Sequence, residues 1–237
     1  MYSLILKILG NCCFPGFFVP LSLRSEKMYF MTPEQFQFVK KQAKKILNTY
    51  TTSNDQRVVQ AIQALVQEEV DGKLTFQEIE QQLVLQPIFH IKSKEQLEQF
   101  LNDIKQYVEP FQKPTEAELK RLFPKDKKLK LPKLEMYDWQ ETSYISWFDA
   151  GTNRKYVVYR EDGVLKGVRG TFSNSSKVGV CTVCNQHAKV GMLLVSKKGT
   201  DLGTYTKRGN YICEDSESCN EALSDLNKFM DFVNNLK

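Results

Sequence analysis

Two hydrophobic rhythms divide the chain. From residue 32 to about 110 the apolar positions recur with the period of a helix. Thr32 offers an N-cap, with Pro33 in the first turn. Phe36, Val39, Ala43, Ile46, Leu47 and Tyr50 then share one face. Ser53 or Asn54 opens a second segment with Val58, Val59, Ile62, Leu65 and Val66 on one side, closed at Asp71-Gly72. A third carries Phe76, Ile79 and Leu83 and runs out before Pro87. Ser93-Lys-Glu-Gln96 reads as a capping box for a fourth, whose stripe is Leu97, Phe100, Leu101, Ile104 and Val108 before Pro110. Four amphipathic helices with short connections predict an antiparallel bundle.

A second capping box, Thr115-Glu-Ala-Glu118, predicts a short helix through Leu119, Leu122 and Phe123, ended by Pro124. Beyond Leu134 the rhythm changes. Tyr144–Trp147 and Lys155–Arg160 are rich in aromatic and β-branched residues, and Glu161-Asp-Gly163 is a hairpin turn signal. Val164–Phe172 returns as the partner strand. Val190–Val195 predicts a further strand, Gly199–Gly203 a turn, and Thr204-Tyr205 and Asn210–Ile212 strand again. Leu223, Leu226, Phe229, Met230 and Val233 mark a C-terminal helix. The predicted class is α+β: a helical bundle over residues 28–112, then a mixed α/β domain over 113–237 with a basic linker at 120–133.

Composition changes this picture in three places. At 41% hydrophobic residues the chain can bury a real core. Residues 1–27 are short of the roughly 20 apolar residues of a span and are broken by Lys7, Pro15 and Pro20. They read as an upstream extension outside the fold, with a short interfacial arm as the rival reading. Net charge is +5, modest for a nucleic-acid binder, but seven basic residues gather between Lys120 and Lys133 around a lone acid, Asp126.

Four cysteines carry the candidate chemistry. Cys181 and Cys184 form a C-x-x-C; Cys213 and Cys219 follow after a gap of 28 residues. Two closely spaced pairs separated by a small β-unit suit one tetrahedral structural zinc. Binding it would lower the net charge to +3, because four protons leave and two charges arrive. Knuckle, hairpin and a last cysteine at the start of the final helix predict a treble-clef-like finger, with that helix N-terminus supporting the thiolate. With every cysteine beyond the extension so used, the pattern suits a reducing cytoplasm. His187 reads as an exposed or neighbouring residue, and His90 as a core or edge histidine. No nucleophile, HExxH or phosphate-loop motif is present, which argues against an enzyme.

Gly151-Thr-Asn-Arg-Lys-Tyr156, Val180-Cys-Thr-Val-Cys-Asn185, Gly209–Ser216 and Cys219-Asn220 strongly resemble the FusB-type fusidic acid resistance family of elongation factor G-binding proteins. The resemblance implies a helical bundle, a four-cysteine zinc finger, and release of elongation factor G from fusidic acid-stalled ribosomes without modification of drug or factor. It implies a monomer in the cytoplasm, away from membranes. It places partner contacts at Val180, Arg208, Tyr211 and Phe232. Arg208 keeps a charge where lysine is expected; Val180 is smaller than the expected aromatic. Phe232 lies off the stripe Leu226-Phe229-Val233 and is expected to face outward. The alternative is a zinc-containing RNA- or ribosome-binding module using Lys120–Lys133 with Tyr156 or Tyr159. An enzyme with a structural zinc ranks third.

Overall fold

The computed structural model describes residues 29–198 and 204–236. The extension at 1–27 and the turn at Gly199–Gly203 lie outside them. The order is α1 (Pro33–Thr52), α2 (Gln56–Lys73), α3 (Ile79–Leu85), α4 (Lys94–Lys105), α5 (Glu116–Leu122), β1 (Ile145–Asp149), β2 (Arg154–Glu161), β3 (Val164–Val180), β4 (His187–Lys198), β5 (Tyr205–Cys213), α6 (Ser216–Ala222) and α7 (Leu226–Leu236). The chain is α+β, helices first and one antiparallel five-stranded sheet after them, with strands in sequence order.

The bundle is built around α1. Gln35 Oε1 accepts from the Thr32 amide at 2.9 Å, so the predicted cap forms. Val39, Ala43 and Ile46 pack against Val66 and Val70 of α2 and against Leu97, Phe100 and Ile104 of α4. The fourth cap differs by one bond from expectation. Ser93 Oγ accepts from the Gln96 amide, but Gln96 Oε1 reaches the Lys92 amide at 2.8 Å. The third helix departs more. Phe76 precedes it, so its spacing to Ile79 is not helical; Ile79 is 72% exposed and Leu83 also faces outward, while Leu85 and Ile88 enter the core. A 3-10 turn at Gln86–His90 accommodates Pro87, and His90 is exposed. In α2, Val58 and Leu65 also turn outward, leaving Val59, Val66 and Val70 buried.

The sheet is buried on both faces of β2. Alternation sends Tyr156 and Val158 one way and Lys155, Val157 and Tyr159 the other. The hairpin to β3 closes at Glu161↔Val164 with Asp162 at φ 52° and Gly163 at φ 74°, the left-handed pair that a two-residue turn of the primed type requires. Over the first face lie Leu119, Leu122 and Phe123 of the α5 segment together with Leu129, Leu131 and Leu134. The basic stretch is therefore no free linker. It is a strap whose leucines pack down while its lysines stay exposed. Asp126 fixes it to the sheet by ion pairs to Arg154 and Arg169. Over the second face lie the cysteines and α7, where Phe229 stacks on Tyr144 at 4.7 Å and meets Tyr159 edge-on at 5.4 Å.

Candidate metal centre and partner face

The four cysteines are brought together and buried, with their sulfurs all within 4.8 Å of one another. Cys181 and Cys219 sulfurs are 3.8 Å apart, Cys184 and Cys213 3.7 Å. A tetrahedron with Zn–S near 2.3 Å has edges of about 3.8 Å, so the spacing fits zinc. Four thiols this close need a cation to ionise together. Without one, hydrogen bonds from Cys184, Cys213 and Cys219 favour the Cys181 thiolate, while the same contacts push the Cys213 and Cys219 thiols up. The Tyr144 hydroxyl is also buried without an oxygen or nitrogen partner and faces Cys219, a donor suited to a thiolate. The donor set holds a structural zinc and leaves it no protein-derived open position.

Local chemistry shapes the site. Asn185, at φ 57°, reverses the chain after the knuckle; its amide donates to Cys181 O at 2.8 Å, and the Cys181 amide donates to Gln186 O. Thr182 ties the knuckle to β5, its amide and hydroxyl both donating to Tyr211 O. Cys219 sits in α6, a short helix before the final one, not at the start of the final helix. The first-turn amides of Glu217 and Ser218 donate to Asp215, so they are committed to the cap and not to a thiolate. Burial alone would raise the Asp215 carboxyl. The Ser218 hydroxyl, the Ser218 and Glu217 amides and the Lys155 charge hold it below its usual range. Asn220 secures the helix: Oδ1 accepts from the Ser143 and Tyr144 amides, and Nδ2 donates to Tyr144 O and Ser216 O. Its place beside Cys219 was visible in the sequence; its clamp needs residues 76 and 77 positions away.

The expected partner residues divide. Val180 (46% exposed) and Tyr211 (45%) lie at the surface beside the knuckle, and Arg208 is exposed. Tyr211 pairs with Met192, Arg208 with Val195; three positions apart on a strand, their side chains leave opposite faces of β5. Phe232 is 2% exposed, contrary to expectation. The buried stripe of α7 is Phe229, Phe232, Val233 and Leu236, in which Phe232 is the i+3 position. Leu194 and Tyr205 are exposed on the same sheet face as Tyr211, and Val178 is exposed on β3. The sequence pattern does not mark them, because a strand residue's burial depends on what covers the sheet. His187 is exposed and stands outside the four-sulfur set. Tyr156 and Tyr159 are buried and cannot serve as stacking platforms for bases.

A helical bundle followed by a sheet whose rim is locked by a four-cysteine treble clef defines a class of zinc-finger protein, and among the described residues no helix is long and apolar enough to cross a membrane. Residues 30–112 match the family described as elongation factor G-binding protein, N-terminal, and residues 123–231 match the FBP C-terminal treble-clef zinc-finger. The fold is similar to that of the fusidic acid resistance protein FusC, at TM-score 0.79 and 32% identity, over 89% of this chain and 99% of that one. The chain belongs to this FusB-type family of elongation factor G-binding proteins. No curated protein matches it significantly.

Proposed function

We propose that the chain binds elongation factor G through the rim of its zinc domain and promotes its release from ribosomes, protecting translation from fusidic acid. It acts as a cytoplasmic monomer, by binding and not by catalysis. The observation that carries the reading is Tyr211: an exposed aromatic whose own carbonyl is held by Thr182 of the metal knuckle. Rigid aromatics with a polar tip are efficient interface anchors. Val180 contributes a smaller apolar contact and Arg208 a charge from the other face of β5. Phe232 contributes from beneath, as part of the core that sets the height of the rim.

Tyr211→Ala tests this. Binding of the full chain to purified elongation factor G should weaken at least 10-fold, a loss of about 1.4 kcal/mol or more, with zinc content unchanged. No complex between the unaltered protein and elongation factor G at micromolar concentration overturns the proposal. A second reading adds ribosomal RNA contact by the strap, because its seven basic side chains are all exposed. That contact would weaken steeply with salt, whereas apolar rim contacts would persist.

A further inference from the structure

Lys155 is 1% exposed, the least exposed charged residue among those described. An ammonium group in a protein interior is costly unless charge or hydrogen bonds offset its lost hydration. Its Nζ donates to the Glu214 carbonyl at 2.8 Å and lies 4.8 Å from the centre of the Phe172 ring. Phe172 is itself seated on Gly191, where even a Cβ would come within 2.3 Å of the ring. These neighbours fix the ammonium without supplying a negative charge. Among the described residues no carboxylate forms an ion pair with it; the carbonyl that holds it belongs to the residue directly after Cys213, which sets the ammonium beside the buried cysteine cluster, and the Asp215 carboxylate is the other charged group near it. Asp215 is engaged elsewhere, capping α6 through both oxygens.

The zinc centre has the complementary need. Four thiolates around one Zn2+ leave two negative charges inside a buried core. We propose that Lys155 is the built-in counter-charge of this centre, offsetting one of those two charges and thereby raising the affinity of the four cysteines for zinc. It makes no hydrogen bond to a sulfur. It acts through space, favouring the loss of the four thiol protons that accompanies binding. Lys155 is thus a positioning residue of the metal site, and its role stands whether or not the rim contacts elongation factor G.

The test compares K155M, K155R and D215N in the full chain. Zinc affinity is read by competition with a chromophoric chelator, and the coordination by the absorption bands of bound Co2+. K155M should bind zinc about 10- to 100-fold more weakly while keeping the tetrahedral tetrathiolate Co2+ spectrum. K155R, which keeps the charge, should recover most of the loss, and D215N should stay within about threefold of the unaltered protein. The proposal fails if K155M binds zinc as tightly as the unaltered protein, or if D215N weakens it as much as K155M, which would make Asp215 the true partner. Should K155M not fold, K155Q and K155R decide: a folded, zinc-loaded K155R beside a zinc-poor K155Q is expected, and equal failure of both overturns the role of charge.

Discussion

The two faces of β2 each bury a charge of opposite sign, and they settle it differently. On the strap side Asp126, with a side chain 6% exposed, is neutralised locally by two arginines of the neighbouring strands, Arg154 and Arg169. On the zinc side Lys155 has a carbonyl and an aromatic ring in contact but no carboxylate ion pair. The strap face is complete in its own side chains. The zinc face instead sets its lysine beside the cysteine cluster, with the Asp215 carboxylate as the nearby opposite charge. Removing one partner should therefore loosen a segment on the first face and dismantle a core on the second.

The largest expected effect is on the zinc face. Cys213→Ser should abolish stoichiometric zinc and cost the zinc domain several kcal/mol, since metal binding and folding are coupled there. The four sulfurs share a core with Tyr144, Phe172, Phe229 and Phe232, so near-UV circular dichroism of these aromatics should collapse. The bundle has a separate core, from Met31 to Val108, and should keep its far-UV helical signal. Metal analysis showing one zinc per chain in the variant would remove Cys213 from the ligand set. Loss of the helical signal as well would show that the two cores do not behave separately.

The strap should yield a smaller, local effect. Asp126→Asn keeps the shape and removes the charge, leaving Arg154 and Arg169 facing each other's field. Breaking a buried pair costs about 3–5 kcal/mol, but these arginine side chains are 42% and 29% exposed, which brings the expectation to about 2 kcal/mol. Urea titration measures it. Trypsin should now cut first at Lys127, Lys128 or Lys130, the exposed residues of the loosened strap. An unchanged midpoint and cleavage pattern would mean that Leu129, Leu131 and Leu134 hold the strap unaided.

The sequence was readable wherever a signal is local. The capping box at Thr115, the Asp-Gly turn and the cysteine spacing each involve a few neighbouring residues, and each forms as expected. What it hid was set at long range. Phe232 belongs to the buried stripe because α7 begins at Leu226 and rotates Phe229 onto Tyr144. Asp126 appeared as an isolated acid in a basic run because Arg154 and Arg169 lie 28 and 43 positions away. Lys155 appeared as one polar position in an aromatic strand; only the alternation of a sheet covered on both faces sends it towards the thiolates. The strands also run longer than their sequence pattern. Gly and polar residues thin the pattern in β3 after Phe172, yet pairing with β4 continues through a bulge between Asn174 and Lys177 to Val180.

The smallest expected effect lies where the two regions meet. Lys105 of α4 donates to Glu141 at 2.6 Å and to Asp138 at 2.5 Å, and Lys40 and Gln37 of α1 also reach Glu141. Burial alone would raise the Glu141 carboxyl, but the bonds from Lys105 and Gln37 and the charge of Lys40 bring it below its ordinary 4.5. Such a group stabilises the folded state above that ordinary value, and the contribution disappears as pH falls through the lower folded value. Lys105 has the opposite sign. Burial opposes its charge, Asp138 and Glu141 more than restore it, and its contribution is complete below 10.5 and lost as pH rises through the raised folded value. The junction should therefore be strongest across the neutral range and weaken below about pH 4.5, by no more than about 1 kcal/mol because the pair is partly exposed. Acid also strips zinc, so the informative quantity is the difference in urea midpoint between the unaltered chain and Glu141→Gln. That difference should be present at pH 7 and shrink towards zero as pH falls below 4.5. A difference independent of pH would make Glu141 a packing residue at the junction, leaving the charge contrast of this molecule to the two faces of β2.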